Sequence, residues 1–349
     1  MRSFKKAILK VALFTLIFAL ICSPFVYTYI KKGSANNNYL PQLEAENGKI
    51  DFLICGASQS VWGFIPVVLD EELGCNSFNV SSGLLSMEGR YTILCDVLKD
   101  NPVKTLVMDF SFGNLLRADD SDTIEGELLL EEHLRGAERV RYYCTHTKLN
   151  EIFSSFYYVI RTGMYSLLRP NAGVDASAPY FGKGYWGTHE PTDQRRAIYW
   201  GGDNSEQRET SYPVDKENLL YLDKIMQLCK EKDIRVYLVT TAYPTGVVSW
   251  SNRDGMLKAH LEIAQHFGCP FYDFNLFRQK DVFFNDETSY YDVEHVSTEG
   301  AVAQTQLLSE WISDGSAGVG ADARFFPSYA EMIRDYLQRH AAEQGASGS

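Results

Sequence analysis

Ser58 stands in LICGASQSVWGF (53–64), where an apolar run stops at Gly56 and a serine follows two residues later. Far downstream, Asp292 and His295 share the segment SYYDVEHVSTEGA. A serine hydroxyl attacks a carbonyl only when a base takes its proton, and histidine is the usual base because it changes charge near neutrality. The i, i+3 spacing of Asp292 and His295 lets the carboxylate reach one ring nitrogen within a single turn, leaving the other for a hydroxyl. Nucleophile, general base and orienting carboxylate together describe acyl transfer through an acyl-serine. Taken alone, GASQS reads first as a helix cap after a buried strand, and DxxH as a solvated loop. The elements that carry them have to decide.

Of the seven histidines, His133, His260, His266 and His340 fall in helical segments among charged residues and read as solvated, while His146 and His189 fall in an insertion. His295 alone is expected in a loop just before a helix that starts near Thr298. From residue 49 the chain alternates strands and helices. KIDFLICG, SFNVS, TLVMDFSF, IRVYLVTTAYP and PFYDFN read as buried strands; VVLDEEL, residues 87–99, NLLYLDKIMQLCKEK, GMLKAHLEIAQHFG and EGAVAQTQLLSEWI read as helices. That order implies an α/β fold with a central parallel sheet covered on both faces, a flavodoxin-like three-layer sandwich. Ligands of such sheets sit at the carboxyl ends of the strands, near the point where strand order reverses. Ser58 and His295 are both expected at that edge.

With these elements in place, the chain resembles the SGNH (GDSL-like) hydrolase superfamily. The matching residues are GASQS at Ser58, NVSSG at Gly83 and DVEH at Asp292 and His295, in the family's order over residues 50–110 and 230–313. The resemblance implies Ser58, Asp292 and His295 as the catalytic set. It also implies an oxyanion hole from the backbone N–H groups of Ser58 and Gly83, with Asn114 as a third donor, although Ser111 fits by position too. The family's commonest first block is GDS, and this chain has Ala57 before the serine. The third block usually ends a strand with GxND, whereas here the strand runs VMDFSFGNLL. Membrane-anchored members act in lipoteichoic-acid D-alanylation and in alginate and cell-wall O-acetylation. The resemblance to them implies O-acyl transfer to, or removal from, an envelope polymer. A multi-spanning membrane-bound O-acyltransferase is the expected partner, and no cofactor is implied.

Residues 11–30 (VALFTLIFALICSPFVYTYI) carry no charge, and twenty helical residues span roughly 30 Å, the thickness of a bilayer's hydrocarbon core. Arg2, Lys5, Lys6 and Lys10 precede them, so the first ten residues are expected in the cytoplasm and everything after residue 32 on the far side of a bacterial plasma membrane. A cleaved signal peptide is the alternative, weakened by the length of the apolar stretch. Residues 31–48 read as a polar stalk, 49–340 as the catalytic domain and 341–349 as a disordered tail. Residues 113–215 interrupt the alternation with an acidic segment, an apolar helix over 151–168 and a Gly/aromatic segment, as a lid or substrate-binding subdomain would.

The composition sets outer bounds. The chain has 349 residues, 45% of them hydrophobic and 22% charged, which is globular. A net charge of −12 without a basic stripe argues against a nucleic-acid partner. Seven cysteines form no CxxC pair and read as small core hydrophobes. Two other site readings are weaker. The nucleophile elbow of α/β-hydrolases needs GxSxG, and Ser60 stands where the second glycine belongs. A metal site on Asp286, Asp292, Glu294 and His295 has one histidine, thin for zinc. The competing function is a non-catalytic anchored protein that binds polysaccharide or scaffolds an acyltransferase.

Overall fold

The computed structural model describes residues 2–28, 39–111, 115, 130, 133–135, 137–138, 140–142, 149–168, 180–188, 214–245 and 253–346. The N-terminal part comprises α1 (Arg2–Thr28), α2 (Tyr39–Ala45), β1 (Phe52–Cys55), α3 (Ser58–Gly63), α4 (Pro66–Leu73), β2 (Ser77–Asn79), α5 (Met87–Val97) and β3 (Thr105–Asp109). Within the insertion lie α6 (Leu149–Leu168) and a hairpin of β4 (Tyr180–Gly182) and β5 (Tyr185–Trp186). Then come α7 (Lys216–Glu231), β6 (Arg235–Thr240), α8 (Arg253–Phe267), β7 (Phe271–Asp273), α9 (Lys280–Phe283), α10 (Thr298–Ser313) and α11 (Tyr329–Ala346).

Five strands form one parallel sheet in the order β2-β1-β3-β6-β7. The continuous apolar runs behave as buried parallel strands must: all four residues of β1 are buried, and so are the last five of β6. The crossover from β1 to β2 runs one way along the sheet, and those from β2 onward run the other way. Right-handed crossovers then put α4 on one face and α5, α7 and α8 on the other. The packing agrees, since α5 lies on α7, while α10 returns to cover α3 and α4. The order reverses between β1 and β3, so the expected crevice opens beside the residue that follows β1. Much of the aromatic content fills the far end of the core. Trp311, fully buried, packs its ring against Tyr272, Phe274, Phe277 and Phe325.

Four expectations need correction. The segment expected as a stalk through residue 48 contains α2, which buries Tyr39 and Leu43 in the core. The helix α11 runs through Ala346, into the stretch expected as a disordered tail. His133 is buried, its ring centroid 4.2 Å from that of Tyr39. His260 is buried between Phe110 and Phe271, at 4.6 and 5.4 Å, and burial pushes its pKa down to about 3. Charged neighbours in sequence hid the apolar face that both histidines occupy. His266 is exposed as expected, while His146, His189 and the side chain of His340 lie outside the described residues.

The helix α1 is long and apolar enough to cross a membrane, with mean hydropathy 2.2 over Phe4–Thr28. The amphipathic helix α6 packs along it. Phe18 and Phe156 stand 5.9 Å apart between ring centroids, and a Cβ built on Gly163 would lie 2.0 Å from the carbonyl oxygen of Phe25. The contact pairs advance equally along both helices, so the two run parallel.

Candidate active site

The structure brings Ser58, His295 and Asp292 together across the sheet edge. The Ser58 Oγ lies 2.8 Å from His295 Nε2, and His295 Nδ1 lies 2.9 and 3.0 Å from the two carboxylate oxygens of Asp292. Ser58 is the first residue of α3, directly past the carboxyl end of β1. Ala57 occupies the cap position and offers no side-chain bond to the helix. The hydroxyl is therefore turned to the imidazole and is not the helix cap that the sequence also allowed.

Backbone chemistry fixes the DxxH turn. Asp292 Oδ1 accepts the backbone N–H groups of Glu294 and His295, each at 2.8 Å, so the carboxylate shapes the turn that carries its own partner. Tyr291 N–H donates to the His295 carbonyl at 2.9 Å, and a bridge between Tyr290 and Val296 closes the loop. Immediately after, Ser297 caps α10 by accepting from Gly300 N–H and anchors itself through its hydroxyl to the Thr288 carbonyl at 2.6 Å. Burial works to raise the Asp292 pKa, but its bonds to the His295 ring and to the two backbone N–H groups outweigh that and hold the carboxyl below its ordinary range.

The NVSSG segment ties itself to the same place. Asn79 Nδ2 donates to the carbonyls of Ser60 and Phe64, and its Oδ1 accepts Ser81 N–H at 3.1 Å. Ser82 N–H donates to the Gly56 carbonyl at 3.2 Å, placing Gly83 next along the chain. The left-handed residue of that turn is Leu84, at φ 55°, so Gly83 is not there for its φ. Asn114 lies outside the described residues; Ser111 is described and fully turned inward at the end of β3.

Several residues at the site escape single-sequence reasoning. Trp62 stands four residues after Ser58, hence on the same side of α3, with its ring centroid 4.8 Å from Tyr291 and 5.3 Å from His295. That spacing was the available signal. Buried Gln304 of α10 donates to the Gly63 carbonyl at 2.9 Å and accepts Ala242 N–H at 2.7 Å, locking α3 to the end of β6. The insertion reaches the site through its hairpin. The strand β5 packs on α3, Thr298 N–H donates to the Thr188 carbonyl at 2.8 Å, and Tyr185 Oη bonds Thr298 Oγ1 at 3.3 Å. The hairpin thus braces both the helix that starts with Ser58 and the helix that follows His295. Among the described residues, no three His, Cys, Asp or Glu side chains gather as a metal ion would need.

No family model matches the sequence, and a search of curated proteins finds no match. Among solved structures, the chain is similar to a proposed acylhydrolase from Bacteroides fragilis, at 11% identity and TM-score 0.37, covering 81% of this chain and 98% of that one. A likeness that remote leaves the site's own geometry to speak for its chemistry.

Proposed function

We propose that this protein performs serine-dependent acyl-ester chemistry as a member of the SGNH type, with Ser58 as nucleophile, His295 as general base and Asp292 as orienter. The observation that carries the reading is the continuous bond chain Ser58 Oγ–His295 Nε2 and His295 Nδ1–Asp292, at 2.8 and 2.9 Å, at the reversal point of a parallel sheet. Ser58 Oγ attacks the ester carbonyl carbon as its proton passes to His295 Nε2. The tetrahedral intermediate collapses, the C–O bond to the leaving alcohol breaks, and His295 returns the proton to that alcohol oxygen. A sugar hydroxyl or water then attacks the acyl-serine by the same route in reverse. The backbone N–H groups of Ser58 and Gly83 serve the oxyanion, with Asn114 as third donor.

The apolar α1 and its basic flank support an anchored, extracytoplasmic enzyme acting on an envelope polymer, with an acetyl or D-alanyl group transferred or removed and a multi-spanning O-acyltransferase as partner. The test is labelling of the folded protein with a fluorophosphonate, alongside turnover of an acetyl ester. Wild type should label and turn over, and Ser58→Ala should do neither. If folded wild type takes no label, a scaffold role replaces catalysis.

A further inference from the structure

A buried carboxylate lies beneath the nucleophile turn, and the mechanism above gives it no task. Asp109 ends β3 and is fully buried. Its Oδ2 accepts Ala57 N–H at 3.3 Å, while its Oδ1 accepts Ser111 N–H at 2.8 Å and the Ser111 hydroxyl. Ala57 directly precedes the nucleophile. Ser111 opens the segment that leads to Asn114. One carboxylate therefore holds both the residue before the nucleophile and the first residues past β3. Gly56 makes the grip possible: a Cβ there would lie 2.4 Å from the Cβ of Asp109.

A buried carboxylate is costly unless a positive charge lies near. Arg90 supplies it. This α5 side chain is also fully buried, and its Nη1 donates to the Asp109 carbonyl at 2.5 Å. Among the described residues, its Nε and Nη2 find no hydrogen-bond partner. Leaving two nitrogens of a buried guanidinium, with three N–H groups, unpaired is unfavourable, so packing alone does not explain an arginine there. Its charge does. Burial works to lower the Arg90 pKa, and the nearby Asp109 opposes that.

We propose that Asp109 is a positioning residue for Ser58: its carboxylate, balanced by Arg90, fixes the Gly56–Ala57 peptide that leads into Ser58, together with Ser111, so that the nucleophile turn is set before substrate arrives. The inference rests on the serine mechanism above. It also gives Ala57 a meaning, because the carboxylate at this turn comes from β3 instead of from the residue before the serine.

Asp109→Asn keeps the side-chain shape but turns an NH2 group toward N–H donors. The full-length protein in detergent is compared with wild type by fluorophosphonate labelling rate and by kcat and KM for p-nitrophenyl acetate, all normalised to the folded fraction from near-UV circular dichroism. Labelling rate and kcat should fall about 10- to 100-fold, as a small misplacement of reacting groups does. KM should stay within about twofold, and the pH midpoint of labelling should not move. A moved midpoint would mean that Asp109 acts on His295, and would overturn the positioning role. Should Asp109→Asn fail to fold, Ser111→Ala decides, since it removes one donor to the same carboxylate and should slow labelling per folded molecule. Wild-type rates per folded molecule in whichever variant folds overturn the proposal. A wild-type protein that does not label overturns the serine mechanism along with it.

Discussion

At the scale of single residues, the site is a set of directed bonds, and each makes a distinct prediction. Asp292 orients the His295 ring through Nδ1 and shapes the turn through Oδ1. Asp292→Asn should keep the turn yet let the ring settle in the wrong tautomer. Turnover should then fall about 10³- to 10⁴-fold with little change in KM, read by steady-state kinetics. Gly56→Ala should act from the opposite side. Its new methyl would meet Asp109 Cβ and Ser60 Oγ, each at 2.4 Å, so it should cost about 1–3 kcal/mol in chemical denaturation and slow labelling of Ser58 as well. Ser58, Asp292 and His295 were legible as a candidate set because their side-chain types suit acyl chemistry and DxxH is a local spacing. Asp109, Arg90 and Trp62 were not, because their roles come from which strand ends and helix faces the fold juxtaposes. A lone aspartate at the end of an apolar strand has no sequence pattern that marks it.

At the scale of elements, the strands were legible for a plain reason: FLIC, TLVMD and RVYLVT are buried on both faces, so they read as unbroken apolar runs. Helix faces were harder. His260 sits in the polar-looking segment KAHLEIAQHF yet is packed between two phenylalanines. The consequence is a pH dependence with a definite sign. Burial holds the folded-state pKa near 3, against an ordinary value of about 6.5, so between those limits only the unfolded chain binds the proton. The stability this group leaves intact at neutral pH is lost as pH falls from about 6.5 toward 3, at up to about 1.4 kcal/mol per unit. Urea unfolding at pH 7 and pH 4.5 should show that loss in wild type and a smaller one in His260→Leu. The hairpin offers a second test. Gly184 has φ 83°, and a Cβ there would lie 1.8 Å from the Asn79 carbonyl oxygen. Gly184→Ala should undock β4 and β5, shown by new protease cleavage within 180–188, and lower turnover because the brace on α3 and α10 is lost.

At the scale of the whole molecule, the packed core already includes residues from Tyr39 onward, ten residues before the expected domain start at 49. Tyr39 and Leu43 are core residues, and Gln42 accepts bonds from Tyr180 Oη at 2.7 Å and Lys183 N–H at 2.8 Å. A protein shortened to begin at residue 39 should keep the Tm of the full chain, whereas one beginning at residue 49 should melt several degrees lower, consistent with loss of two buried side chains and a link to the hairpin. Polar composition made 31–48 read as one stalk, because a single buried tyrosine and leucine in a seven-residue helix leave too little periodicity to find.

The parallel seating of α6 on α1 sets a choice of partner. Matching Phe18 to Phe156 brings Leu149 level with Val11, at the N-terminal end of the apolar stretch. Yet Leu149 follows Tyr142, a core residue of the domain, by seven peptide steps, which reach at most about 25 Å. A crossing α1 puts roughly 30 Å of hydrocarbon between those two levels. The same stripe of α1 therefore faces either α6 or lipid, and membrane entry has to exchange one for the other. Cysteines at positions 18 and 156 should crosslink in lipid-free protein and lose that reactivity once the chain is reconstituted into vesicles.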